Sequence, residues 1–133
     1  MRFTVMLGSL TVSASPCPDF SFCVTGNPIP KGRPRLGYRR RVFTPQRTLD
    51  YEELVASEAV SQGVKRVSDM LRVEVDFYRS TRHRVDLDNL IKSILDALNG
   101  IAYDDDVQIV QLEARKDYDK KHPRAEVRIY KIQ

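Results

Sequence analysis

The sequence predicts a small α/β (α+β) domain, a mixed β-sheet with two α-helices packed on one face, and three observations carry that expectation. Leu71, Val73, Val75 and Phe77 alternate with Arg72, Glu74, Asp76 and Tyr78, the period-two signature of a strand with one buried face. Two stretches, Leu49 to Gln62 and Asp88 to Gly100, instead repeat their apolar residues at helical spacing. Short apolar runs at Phe20 to Val24, Val107 to Ala114 and Ala125 to Ile132 supply further strands, and helices laid over one sheet make a two-layer sandwich.

Taken in order, residues 1–19 read as an N-terminal extension, an extra strand or a disordered segment, ahead of a domain at 20–133. Arg2, the apolar stretch Phe3 to Leu10 and Val12-Ser13-Ala14 imitate a secretory signal weakly, because Gly8 and Ser9 interrupt a short run. Phe20 to Val24 is a core strand that Thr25-Gly26-Asn27-Pro28 releases into a long loop. In that loop Pro28, Pro30 and Pro34 stiffen the backbone around Lys31-Gly32-Arg33, and Arg39 to Phe43 continues it as a hairpin arm.

In the first helix Tyr51, Leu54, Val55 and Ala59 form the apolar face, Glu52, Glu53 and Glu58 the solvent face, and Gly63 the stop. The strand at Leu71 to Tyr78 follows, and the polar connection Arg79 to Arg84 delivers the chain to Asp86. Leu90, Ile91, Ile94, Leu95 and Leu98 are the stripe of the second helix, with Asp88 or Asn89 as N-cap and Asn99-Gly100 as the end. Lys92, Ser93 and Asp96 occupy its other face. The last two strands are separated by the polar link Lys116 to Arg124, a mobile loop or an extended hairpin tip.

A chain of 133 residues is most simply one domain, large enough to bury about two thirds of its unfolded surface without staples. Cys17 and Cys23 have no metal-finger pattern and read as reduced thiols, which places the protein in the cytoplasm. No run approaches the roughly 18 apolar residues of a membrane-spanning helix. The net charge of +4 is modest, but the signs are segregated: seven basic residues and no acid from Lys31 to Arg47, six aspartates and one lysine from Asp86 to Asp106. Lys31, Arg33 and Arg35 alternate on the stiffened arm as a phosphate-tracking strip does, and Arg79, Arg82, His83 and Arg84 extend it toward Asp86.

The acidic segment reads as a metal site. In Asp86-Leu87-Asp88 an extended backbone points both acids to one side and Leu87 into the core. The second helix runs out and the acidic turn Asp104-Asp105-Asp106 opens a strand that returns along the sheet, so a carboxylate of that turn closes the site. Converging carboxylates repel by roughly 4 kcal/mol per close pair at an effective dielectric near 20, so such a cluster calls for a cation. Hard oxygen donors without neighbouring Cys or His favour Mg²⁺, with Mn²⁺ as a substitute. Lys92, four residues after Asp88, either pairs with it along the helix or stands beside a metal-bound phosphate.

Several stretches together resemble the RusA family of Holliday-junction resolvases. They are Gly26-Asn27-Pro28-Ile29-Pro30-Lys31-Gly32-Arg33-Pro34-Arg35, Thr44-Pro45 with Tyr51-Glu52, Asp86-Leu87-Asp88-Asn89-Leu90-Ile91-Lys92, Leu95-Asp96-Ala97-Leu98 and Asp105-Asp106-Val107-Gln108-Ile109. The resemblance implies a Mg²⁺-dependent endodeoxyribonuclease that cuts four-way junctions and related branched DNA by paired symmetric phosphodiester cleavage. It implies Asp86, Asp88 and Asp106 as metal-binding catalytic acids, Lys92 as the active-site lysine and a homodimer with two active sites. Asp104 or Asp105 replaces Asp106 as ligand if the turn is shifted by a residue. The rival reading is a noncatalytic, structure-specific DNA-binding protein using the same basic arm; an Asp-x-Asp glycosyltransferase would need a nucleotide-sugar domain for which the chain has no room.

Overall fold

The structure, a computed structural model, describes residues 3–4, 13–14, 17–32 and 35–132, with residues 3, 4, 13, 14, 35 and 40 by backbone alone. Within the N-terminal extension β1 (Phe3–Thr4) pairs antiparallel with β2 (Ser13–Ala14), and the signal-like run between them lies outside the described residues. The main elements are β3 (Phe20–Thr25), a small hairpin of β4 (Arg35–Leu36) and β5 (Val42–Phe43), α1 (Gln46–Ser61), β6 (Met70–Arg79), α2 (Leu87–Leu98), β7 (Ile109–Tyr118) and β8 (Arg124–Ile132). Four strands form one sheet in the order β3-β8-β6-β7. The mixed α+β architecture matches the sequence expectation.

The alternation in β6 does what its period demands: Leu71, Val73, Val75 and Phe77 are fully buried against the helices. Phe22 and Val24 of β3 and Ala125, Val127 and Ile129 of β8 complete the sheet's inner face. Tyr51, Val55 and Ala59 of α1 and Leu90, Ile94 and Leu98 of α2 cover it. On the other face charges pair across strands. Glu74 accepts from Tyr130 Oη at 2.8 Å, from Arg128 Nε at 3.1 Å and from Arg72, while Arg128 Nη2 reaches Asp76 at 2.9 Å. Burial works to raise the Glu74 pKa, but these donors outweigh it and hold the carboxyl below its ordinary range.

The register corrects one expectation. The last two strands do not pair with each other: β7 lies parallel to β6 on one side and β8 antiparallel to β6 on the other. The link between them is therefore a crossing of β6 and not a hairpin tip. β6, α2 and β7 form a crossover unit, in which the helix carries the chain back to the start of β6 before β7 begins.

Local chemistry sets the boundaries. α1 starts at Gln46, three residues before the apolar pattern, because Pro45 supplies the carbonyl that accepts from Thr48 and Leu49. Gly63, at φ +96°, lets the chain leave after Gln62. Gln62 then plugs the outer edge of β3: its amide accepts from Cys23 N at 3.0 Å and donates to Cys23 O at 2.8 Å. Gly100, at φ +78°, turns the end of α2 so that Tyr103 swings under the helix and donates to Leu95 O at 2.5 Å.

Two measurements test this packing. Ile94→Ala, which empties a fully buried site, should lower the unfolding free energy by about 2–5 kcal/mol in urea titration. Because the folded Glu74 pKa is depressed, its contribution is present above the unfolded value of 4.5 and is lost as pH falls through the folded value. Glu74→Gln should therefore flatten the loss of stability below about pH 4.5 relative to the parent.

Candidate active site

The loop after β3 crosses the crevice between the two helices, and groups distant in sequence fix it there. Asn27 Oδ1 accepts from Ser80 N at 2.9 Å, Lys31 N donates to Asn89 O at 2.8 Å, and Ser93 Oγ donates to Ile29 O at 2.9 Å. Gly32 N donates to Thr48 Oγ1 at 2.9 Å, and a Cβ at Gly32 would stand 2.8 Å from Pro45 Cγ, so a larger residue would displace the loop from α1. Lys31 lies 2.6 Å from Glu52 of α1 and 3.0 Å from Asp96 of α2. Burial opposes the charge on Lys31, yet hydrogen bonds to those two carboxylates win and raise its pKa.

This geometry reassigns four residues. Lys31 is acid-free only in sequence; in space two carboxylates occupy its ammonium, and it fastens the loop. Glu52 and Asp96 belong to that ion triad rather than to the open faces of their helices, and Ser93 is fully buried. Arg33 lies outside the described residues, and of Arg35 only the backbone in β4 is described. Past β6, Arg82, His83 and Arg84 are exposed, with Arg82 stacked 4.4 Å from the Tyr118 ring, whereas Arg79 turns inward and is buried.

Asp86 is itself the N-cap of α2, and Asp88 sits in the first helical turn, where it accepts from Asn89 N at 3.0 Å. The helix thus begins earlier than expected, with the two acids on either side of its first residue instead of on an extended strand. Leu87 between them still packs on the core. Asp86, Asp88 and Lys92 are exposed, and none makes an ion pair among the described residues, so the Asp88–Lys92 pair along the helix is absent.

The three consecutive aspartates have three different roles. Asp104 is bound by Arg66 Nε at 2.5 Å and Ser68 Oγ at 3.1 Å, hydrogen bonds that lower its pKa. Asp105 caps the 3₁₀ turn Asp106–Gln108 by accepting from Val107 N at 3.2 Å. Asp106 is left exposed; the adjoining Asp105 carboxyl and then the charge of Asp96 raise its pKa. Behind the turn the buried Gln108 fills its hydrogen-bonding capacity. Its carbonyl accepts from Asp104 N at 2.7 Å and Asp105 N at 3.1 Å, and its amide donates to Val67 O and Asp69 O, both at 2.9 Å. The role of Gln108 as the clamp of the acidic turn was not legible from its neighbours in sequence.

The convergence expected of these acids does not occur within one chain. Because β7 is parallel to β6, the acidic turn opens at the end of α2 opposite Asp86 and Asp88. The helix runs for ten residues beyond Asp88, which is about 15 Å at 1.5 Å per residue. Among the described residues no three carboxylate, His or Cys side chains stand close enough to hold a metal ion. No helix of the described residues is long and apolar enough to cross a membrane.

Fold and surface define a small mixed α/β protein with exposed acids at both ends of one helix and basic residues leading to one of them. The model of the endodeoxyribonuclease RusA family matches residues 25–130, and the chain belongs to that family of DNA-cleaving enzymes. It is also similar to an uncharacterised protein of Bacillus subtilis (strain 168), YqaN, with 28% identity over 136 residues that cover 84% of this chain and 95% of the relative.

Replacing Gln108 by Leu would leave two carbonyls and two amides of the clamp without partners. The expected loss is about 2–3 kcal/mol in urea unfolding. Asp104→Asn, which touches an exposed pair, should change stability far less.

Proposed function

We propose that the chain is a Mg²⁺-dependent homodimeric endodeoxyribonuclease, with Mn²⁺ as a substitute, that resolves four-way DNA junctions by paired symmetric cleavage. The observation that carries this reading is the pair of exposed acid groups, without a basic partner among the described residues, at the two ends of α2: Asp86 and Asp88 at its start, Asp106 beside its last turns. Among the described residues neither end of one chain brings three carboxylates close enough to hold a metal ion. A two-fold dimer in which the α2 helices of two copies run antiparallel would bring Asp86 and Asp88 of one copy to Asp106 of the other, twice.

The donor chemistry fits a hard divalent cation. Asp86, Asp88 and Asp106 offer only carboxylate oxygens, the donor set a hard divalent cation takes. Bound there, Mg²⁺ would supply an activated water and charge stabilisation at the leaving oxygen of a phosphodiester. The chain's own groups do the rest. Lys92, exposed and without an ion pair among the described residues, offers its ammonium to the phosphate as negative charge builds, and the positive end of the α2 dipole acts in the same sense. Arg82 and Arg84, exposed before Asp86, guide the strand to the site. Two sites related by a two-fold axis match the approximate symmetry of a four-way junction and give one cut on each of two strands.

Co-expression of two inactive variants tests the shared site. Asp86→Asn and Asp106→Asn should each abolish Mg²⁺-dependent nicking of a synthetic junction while preserving binding. In a mixed dimer one site carries both changes and the other carries neither, so random assortment should restore nicking to about a quarter of the parent rate. Dimers that form but stay inactive would mean that each site is built within one chain. Junction binding by the parent protein with no Mg²⁺-dependent nicking would instead make it a noncatalytic junction binder.

A further inference from the structure

Arg79 is the last residue of β6 and continues the inward alternation of Leu71, Val73, Val75 and Phe77, so its side chain enters the core side of the sheet. Only 7% of the residue is exposed. Nε and Nη1 are closed off from solvent and have no hydrogen-bond partner among the described residues. The backbone is not loosely placed, because Asp119 N donates to Arg79 O at 2.8 Å and Asn27 fixes the next residue. Burial first, and then the like charge of Arg47, lower the Arg79 pKa; no carboxylate among the described residues offsets them.

A buried guanidinium without a counter-charge is strongly unfavourable, and folds that retain one usually meet its charge from outside. The neighbouring start of α1 has the same deficit. Its first turn contains no acid, its N-cap Pro45 makes no side-chain cap bond, and the amides of Gln46 and Arg47 have no partner among the described residues. Two independent features therefore ask for an anion at the same end of the molecule: a buried guanidinium fork, and an uncapped helix N-terminus carrying an arginine.

We infer that Arg79, Arg47 and the N-terminus of α1 form a phosphate subsite that takes one backbone phosphate of the bound nucleic acid. The inference deepens the nuclease reading by assigning a strand contact outside the carboxylate centres, and it rests on that reading only in naming DNA as the source of the phosphate. The chemistry suits a phosphodiester, whose nonbridging oxygens accept from a guanidinium fork and from helix amides together.

The test uses the intact chain without divalent metal, so that cleavage plays no part. Anisotropy titrations of a labelled four-way junction across a salt series compare the parent with Arg79→Met and Arg47→Ala. Each variant should bind about tenfold more weakly, with the slope of log affinity against log salt flatter by about one unit. Inorganic phosphate should raise the melting temperature of the parent above that in chloride of equal ionic strength, and should not do so for Arg79→Met. In chloride Arg79→Met should melt above the parent, since a buried unpaired charge has gone.

Parental affinity and slope in both variants would overturn the subsite. So would Arg79→Met melting below the parent, which is the mark of a purely structural arginine. An equal phosphate shift in parent and Arg79→Met would reveal an adventitious ion only. If Arg79→Met does not fold, Arg47→Ala and the parent's phosphate shift decide. A parent protein that binds through this subsite yet never nicks with Mg²⁺ would remove the nuclease reading and leave the subsite standing.

Discussion

The arrangement depends most on one ammonium group shared by two helices. Lys31 reaches Glu52 on α1 and Asp96 on α2, so the loop that carries it becomes the strap across both. Take the lysine away and two half-buried carboxylates face each other with no cation between them. The surrounding bonds to Asn89, Ser93 and Thr48 add direction to that attraction and leave the loop one seat. The close approach of Gly32 to Pro45 makes the seat as much a matter of shape as of charge. Through this strap the start of α1, the start of α2 and the end of β6 are held at one end of the molecule.

Elements governed by local periodicity were legible in the sequence. The alternation of β6 and the apolar stripe of α2 needed no tertiary information, because burial of one face fixes which residues lie inward. The direction of β7 was not legible. A half-buried strand has the same pattern whether its neighbour is parallel or antiparallel, and the chain has to fold before the difference exists. The misplacement of the acids follows from that ambiguity alone: an antiparallel return would have brought Asp106 back toward Asp86, whereas the crossover leaves it at the far end of α2.

Charges were harder still to read. Lys31 looked free because its partners are 21 and 65 positions away, and Arg79 looked like surface because arginine usually is. Continuing the β6 alternation by one more residue would have turned Arg79 inward. The three aspartates at 104–106 carry no distinguishing mark in sequence; their separation into a latch to Arg66, a cap and an exposed acid is imposed by Gln108 behind them and by the 3₁₀ turn Asp106–Gln108. The family match settles the class of enzyme, and the geometry adds that one copy of the chain does not assemble the acids by itself.

The amide of Gln62 has a consequence for how copies of this sheet are able to grow. By satisfying both Cys23 N and Cys23 O it occupies the rim of β3 as a one-residue imitation of a neighbouring strand. The opposite rim, β7, has no such plug among the described residues. A ribbon with one sealed and one open border lacks the two complementary ends that linear polymerisation requires. Strand addition at the open border stops at a face-to-face pair, and the charged Glu113, Arg115, Lys116 and Asp117 that β7 carries along that edge weigh against runaway growth as well.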